Sequence, residues 1–196
     1  MEKTKIISIA FLIVSLGLAS YLGYTIFKSI DDEERIQRGE AKIIEKLTMI
    51  REAQIAYQAV NGQYTSDWGK LKNFVDSGQF YITSRIEHII TLDYGADSVF
   101  VEIDTLGTIL VKDSVFTKAK YPNFDLATLD IVPGSEKAKF SMWANKIDKS
   151  GVMVDVVEVK STRPVDPRRK EDNEARNKKP LRFGSRTNIT TTGNWE

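Results

Sequence analysis

The stretch IISIAFLIVSLGLASYLGYTIF, residues 6–27, runs for 22 residues without a charge. Wound as an α-helix it spans ~33 Å, close to the hydrocarbon thickness of a bilayer, and it reads as a transmembrane helix. Lys3 and Lys5 lie before it; Lys28 and then Asp31, Asp32, Glu33 and Glu34 lie after it. Ser15, Ala19 and Gly23 recur every four residues and line one stripe, where a partner helix can approach closely within the membrane. A cleaved signal peptide is the competing reading, because Gly17-Leu18-Ala19 has the small-x-small form of a cleavage site. The apolar run continues for eight residues past Ala19, which is long for a signal peptide and favours an uncleaved anchor. Lys3, Lys5 and the terminal amine stand against Lys28, Arg35, Arg38 and Lys42, a count that gives no clear winner. The short tail of residues 1–5, with its two lysines, typifies signal anchors that leave the C-terminal part outside the cytosol. The expected topology is therefore a membrane crossed once, with the C-terminal part outside the cytosol.

Outward from this span, residues 28–62 continue without proline and with helical periodicity. Ile36, Ile43, Leu47, Ile50 and Tyr57 follow an a/d-like spacing, with Ala53 beside them, while Arg38, Glu40, Lys42, Glu45, Lys46, Arg51 and Glu52 fill much of the remainder. This apolar stripe is expected to pack on the domain that follows, in preference to an oligomeric coiled coil. Asn61-Gly62 is a stop signal, since both residues tolerate the left-handed conformation. Ser66 or Asp67 can cap a short helix with Trp68, Leu71, Phe74 and Val75 on one side, ending at Gly78.

A membrane helix that runs into an amphipathic helix, then residues 50–57 (IREAQIAY) and Asn61-Gly62-Gln63-Tyr64-Thr65, resembles the N-terminal part of type IV pilins and type II secretion pseudopilins. The resemblance covers roughly residues 5–78 and implies a pilin-like shape. The chain departs from those families in three places: it has no prepilin processing motif, no acidic residue inside the apolar segment, and Thr65 where they place Pro. Assembly through a glutamate-to-amine contact is therefore not implied. The stretch also looks like uncharacterised envelope proteins of Bacteroidetes-type bacteria.

Beyond residue 80 the pattern turns to alternation. Residues 98–104 read as a strand, and 108–112 as its hairpin partner across a Leu106-Gly107 turn. Further strands are expected at 124–131, 139–145 and 152–160, the last with extra valines that suggest greater burial. Residues 84–90 stay ambiguous. Together, residues 63–160 are expected to form an α+β globular module with a small antiparallel sheet. From 161 to 196 there are 9 Lys+Arg against 5 Asp+Glu, leaving 19 against 22 for residues 1–160. This basic segment reads as a largely irregular tail whose last stretch returns as an edge strand or docks as a peptide, with Phe183 and Trp195 as anchors.

Composition limits the chemistry. The 196 residues carry 28 Lys+Arg against 27 Asp+Glu, one histidine and no cysteine. A net charge of +1 argues against a nucleic-acid partner. Without cysteine there is no disulfide, thiolate zinc site or cysteine nucleophile, and His88 alone makes a poor metal site. No phosphate-binding loop, dinucleotide fingerprint or nucleophile elbow is present. No catalytic residue, metal or cofactor is expected, and the chain reads as a non-enzyme. The first functional expectation is an α+β, membrane-anchored structural component of an envelope assembly. Its partners would be the lipid bilayer, other envelope proteins and further copies of itself. The alternative is an extracytoplasmic module binding a polysaccharide or peptide through Tyr94, Tyr121 and Trp143.

Overall fold

The chain is α+β, and its computed structural model describes the backbone of residues 2–91, 97–135, 137–162, 165 and 180–196. Helix α1 (Glu2–Asn61) is one uninterrupted helix of 60 residues, ~90 Å long. Residues 2–5 of the expected tail, the expected membrane helix and the amphipathic helix are thus parts of a single element, because neither proline nor a capping sequence separates them. A positive φ at Gly62 (72°) ends it, and the Gly62 N–H donates to the Gln58 carbonyl over 2.8 Å. Helix α2 (Trp68–Ser77) follows, capped by Asp67, whose side chain accepts from the Gly69 and Lys70 N–H groups.

Strands β1 (Gln79–Thr91) and β2 (Asp97–Leu110) form a long antiparallel hairpin by themselves. This corrects the expected pairing of 98–104 with 108–112. A two-residue hairpin turn needs positive φ, and Gly107 does not adopt it. Gly107 instead stays in the strand opposite Ile82, while a register shift between Ile82 and Thr83 absorbs the extra residue. Residues 111–115 form the short helix α3 (Val111–Val115), which is not the expected strand end.

The expected strand at 124–131 is a series of turns. Asp125 Oδ1 accepts from the Ala127 N–H over 3.0 Å and its Oδ2 from the Thr128 hydroxyl, which holds the backbone out of a ladder. Strand β3 (Ser141–Lys149) begins two residues later than expected and runs further, turning tightly through Ser150-Gly151 into β4 (Val152–Lys160). On the other side of β4 lies β5 (Arg182–Gly184). The basic segment 161–196 is therefore not irregular to its end: residues 181–196 return and complete the sheet, because Leu181 and Phe183 supply apolar surface that the core lacks.

One core joins these parts. Ile43, Leu47, Met49, Ile50 and Ala53 of α1 meet Leu71 and Val75 of α2, the loop residues Phe116, Tyr121, Leu129, Val132 and Phe140, Val157 and Val159 of β4, and Leu181 and Phe183. Residues 156–159 of β4 are all buried, as expected of a central strand covered on both faces at one end.

Candidate interaction surfaces

The first half of α1 exposes its apolar side chains. Phe11, Leu12, Ile13, Val14, Leu16, Leu18, Tyr21, Leu22, Tyr24, Ile26 and Phe27 all point outward on every side of the helix. One stretch of this helix is long and apolar enough to cross a membrane, and none of it is buried within the protein. Ser15 and Ala19 are exposed and Gly23 nearly so, with no atom within 4 Å of where a Gly23 Cβ would stand. Ser15 bonds its own helix through the Leu12 carbonyl (2.9 Å), so its hydroxyl needs no partner from elsewhere.

The second half carries the packing face. Ile36, Ile43, Leu47 and Ile50 are buried, and half-buried Tyr57 meets the Phe74 ring edge-on at 5.1 Å. This face lies against the chain's own head and is not open to a partner helix. Gln54, which is fully buried, was not singled out from sequence because a lone polar residue on an apolar stripe carries no pattern. Its Nε2 donates to the Thr65 carbonyl (2.7 Å) and its Oε1 accepts from the Thr65 N–H (3.2 Å), fastening the reversal after α1.

The C-terminal segment is fastened by charge as well as apolar surface. Phe183 is fully buried and pairs with Gly193, while Trp195 lies half-buried over Gly193. Arg51 of α1 holds Glu196 at 2.6 Å and stands 6.0 Å over the Trp195 ring. Hydrogen bonding from Arg51 and from the Gly193 N–H keeps the Glu196 carboxyl below the usual range. Glu158, nearly buried in β4, takes Arg182 at 3.1 Å and Arg186 at 2.8 Å, and Arg186 also lies over the Trp143 ring.

Two further clusters hold the loops. Asp130 is buried between Lys139 (2.7 Å) and Lys72. Burial pushes its carboxyl up, yet the hydrogen bonds from Lys139 and Lys72 outweigh this and hold it below the usual range. Lys46 donates to the Thr128 carbonyl and hydroxyl, and desolvation holds its ammonium below the usual lysine range. Tyr121 is buried and its phenol is pushed up by desolvation and by Glu52.

Clefts open on the helix surface between residues 24 and 34, lined by Lys28, Asp31, Asp32 and Glu34, and between α1 and Pro133-Gly134, lined by Asp31, Arg35, Arg38 and Lys42. No group of three or more His, Asp or Glu is placed to hold a metal among the described residues. His88 is exposed and bonds Glu102 at 3.0 Å. Of the aromatics considered for a binding module, Tyr121 is buried, Trp143 is half-buried under Arg186, and Tyr94 lies outside the described residues.

No protein-family model, curated protein or solved structure matches this chain.

The hairpin also presents apolar side chains to solvent among the described residues. Tyr81, Ile82, Ile86, Ile89 and Ile90 of β1 and Val99, Phe100, Ile103 and Leu106 of β2 are all exposed. Sequence reasoning missed β1. Its signal was the density of isoleucine in residues 82–90, but the spacing of Ile86, Ile89 and Ile90 fits a helix as well as a strand.

Proposed function

We propose that this chain is a single-pass, membrane-anchored structural and interaction component of a bacterial envelope assembly, pilin-like in shape, with its head in the periplasm. One observation carries the reading. A single unbroken helix exposes apolar side chains all round over its first half and buries one stripe in the head over its second. A helix apolar on every side is stable in lipid and costly in water, by about 25 cal/mol for each Å² of apolar surface exposed. The buried stripe then couples the head to the anchor without a flexible joint.

The test is membrane fractionation of the tagged full-length protein, followed by alkaline extraction and protease treatment of spheroplasts. The expected protein resists alkali, keeps Met1 or the residue after it as its N-terminus, and loses its head to external protease. Release by alkali, or a mature N-terminus at Ser20, overturns the anchor. Co-purification from crosslinked membranes tests the assembly, and a monomer with no partner overturns that part.

A further inference from the structure

The β1–β2 hairpin has two free edges, because no other strand pairs with either of them among the described residues. Unpaired edges of long strands are templates for another strand, and proteins that avoid such pairing place charge along them. The two edges differ in this respect. Strand β2 carries Asp97, Glu102 and Asp104 and no basic residue, so pairing two copies of it sets carboxylate against carboxylate. Strand β1 carries one charge of each sign, Arg85 and Glu87, two residues apart on one face and bonded to each other at 2.8 Å.

That spacing is self-complementary. When two β1 strands run antiparallel about a two-fold axis at Ile86, Arg85 of each copy stands opposite Glu87 of the other. The same register sets Ile86 against Ile86 and Ile82 against Ile90, all three on one face of the strand by their even spacing. Ser84 meets His88, and Thr83 meets Ile89. The Arg85–Glu87 pairs thus match in charge, and the Ile86–Ile86 and Ile82–Ile90 pairs match in apolar character, with polar Ser84–His88 pairs between them. A two-fold contact of this kind closes on itself and leaves the acidic β2 strands as the outer edges.

We infer that the β1 edge is a homodimerisation surface, through which two copies join their hairpins into one four-stranded antiparallel sheet, β2–β1–β1–β2, in register at Ile86. This deepens the reading of the chain as an anchored contact protein and rests on it, naming a second copy as one partner.

The absence of cysteine makes the register directly testable in full-length protein in membrane vesicles. Directly opposed residues in an antiparallel pair lie within disulfide reach, so Ile86→Cys is expected to form a crosslinked dimer on mild oxidation. Ile103→Cys, on the outer strand, is expected to stay monomeric. Both side chains are exposed, so neither change disturbs folding. Charge reversal supplies a second readout. Arg85→Glu and Glu87→Arg are each expected to weaken self-association about tenfold, because each opposes like charges twice per dimer. Mixing the two single variants restores pairing between them, and the double variant restores it within one chain.

No crosslink at residue 86, equal crosslinking at 86 and 103, or failure of the mixed variants to associate overturns the inference. Alkaline extraction of the same vesicles reports on the anchor separately. A monomer that stays in the membrane defeats only the dimer, whereas a dimer released by alkali defeats the anchored reading.

Discussion

The Thr65 N–H donates to Gln54 Oε1, and its hydroxyl accepts from the Asp67 N–H over 3.1 Å. Proline has no N–H to give, so the bond to Gln54 suits threonine at this position and excludes proline. We expect Thr65→Pro to lower stability by about 2 kcal/mol, measured by chemical denaturation, since it leaves the buried Gln54 oxygen without its donor. Gly184 is constrained more severely. Its φ is +76°, and a Cβ there would stand 2.0 Å from the Val157 carbonyl oxygen. We expect Gly184→Ala to cost about 3 kcal/mol or more by the same measurement and to free the C-terminal segment to proteolysis. At Asp130 the effect depends on pH. Its folded pKa lies below the ordinary 3.8, so the unfolded chain takes up the proton first as pH falls. The stability this carboxylate contributes is present above pH 3.8 and is lost as pH drops through the folded value. Asp130→Asn should flatten the acid limb of a plot of unfolding midpoint against pH.

Among the elements, α1 divides its labour by length. We expect Leu47→Ala to cost the head about 3 kcal/mol, seen as a lower denaturation midpoint, and to leave membrane association unchanged. Replacing Ser15, Ala19 and Gly23 together by Leu tests the other half: stability of the head should hold, while helix-mediated crosslinked assemblies in the membrane diminish. The elements that could be read from sequence are those with a strong period or a forced chemistry. The apolar span announces itself by length, the stripe Ile36–Ile43–Leu47–Ile50 by its spacing, α2 by Asp67 and Gly78, and β4 by its valines. What escaped reading lacked such marks. β1 hides because both of its faces carry isoleucine, which removes polar–apolar alternation. Leu106-Gly107 looked like a turn, although only the backbone torsion at Gly107 decides it. The return of β5 as an edge strand anchored by Phe183 was readable from its apolar residues, but three residues are too few to set its bounds, and its place beside β4 depends on contacts distant in sequence.

For the molecule as a whole, no described residue before Ile36 is buried, so the head does not draw on the span for its core. We expect a chain lacking residues 1–28 to fold with a denaturation midpoint close to that of the full protein and to leave the membrane fraction entirely. The candidate surfaces were legible to an unequal degree for the same reason. Ser15, Ala19 and Gly23 form a local pattern that a sequence displays. The β1 edge is a surface only because nothing folds over it, and exposure is a property of the finished molecule.

The unbroken course of α1 has one more consequence. A shaft without a joint transmits rotation as well as position, and each residue of an α-helix advances the bearing by ~100°. With the apolar half seated in a bilayer, as proposed, the direction in which the hairpin points around the membrane normal is set by the seating of that half. Adding one residue between Lys28 and Arg35 would swing the head through more than a quarter of a circle, whereas adding seven would return it to within ~20° of its first heading. On the proposed reading, the apolar half of α1 acts as a compass for whatever the head must face.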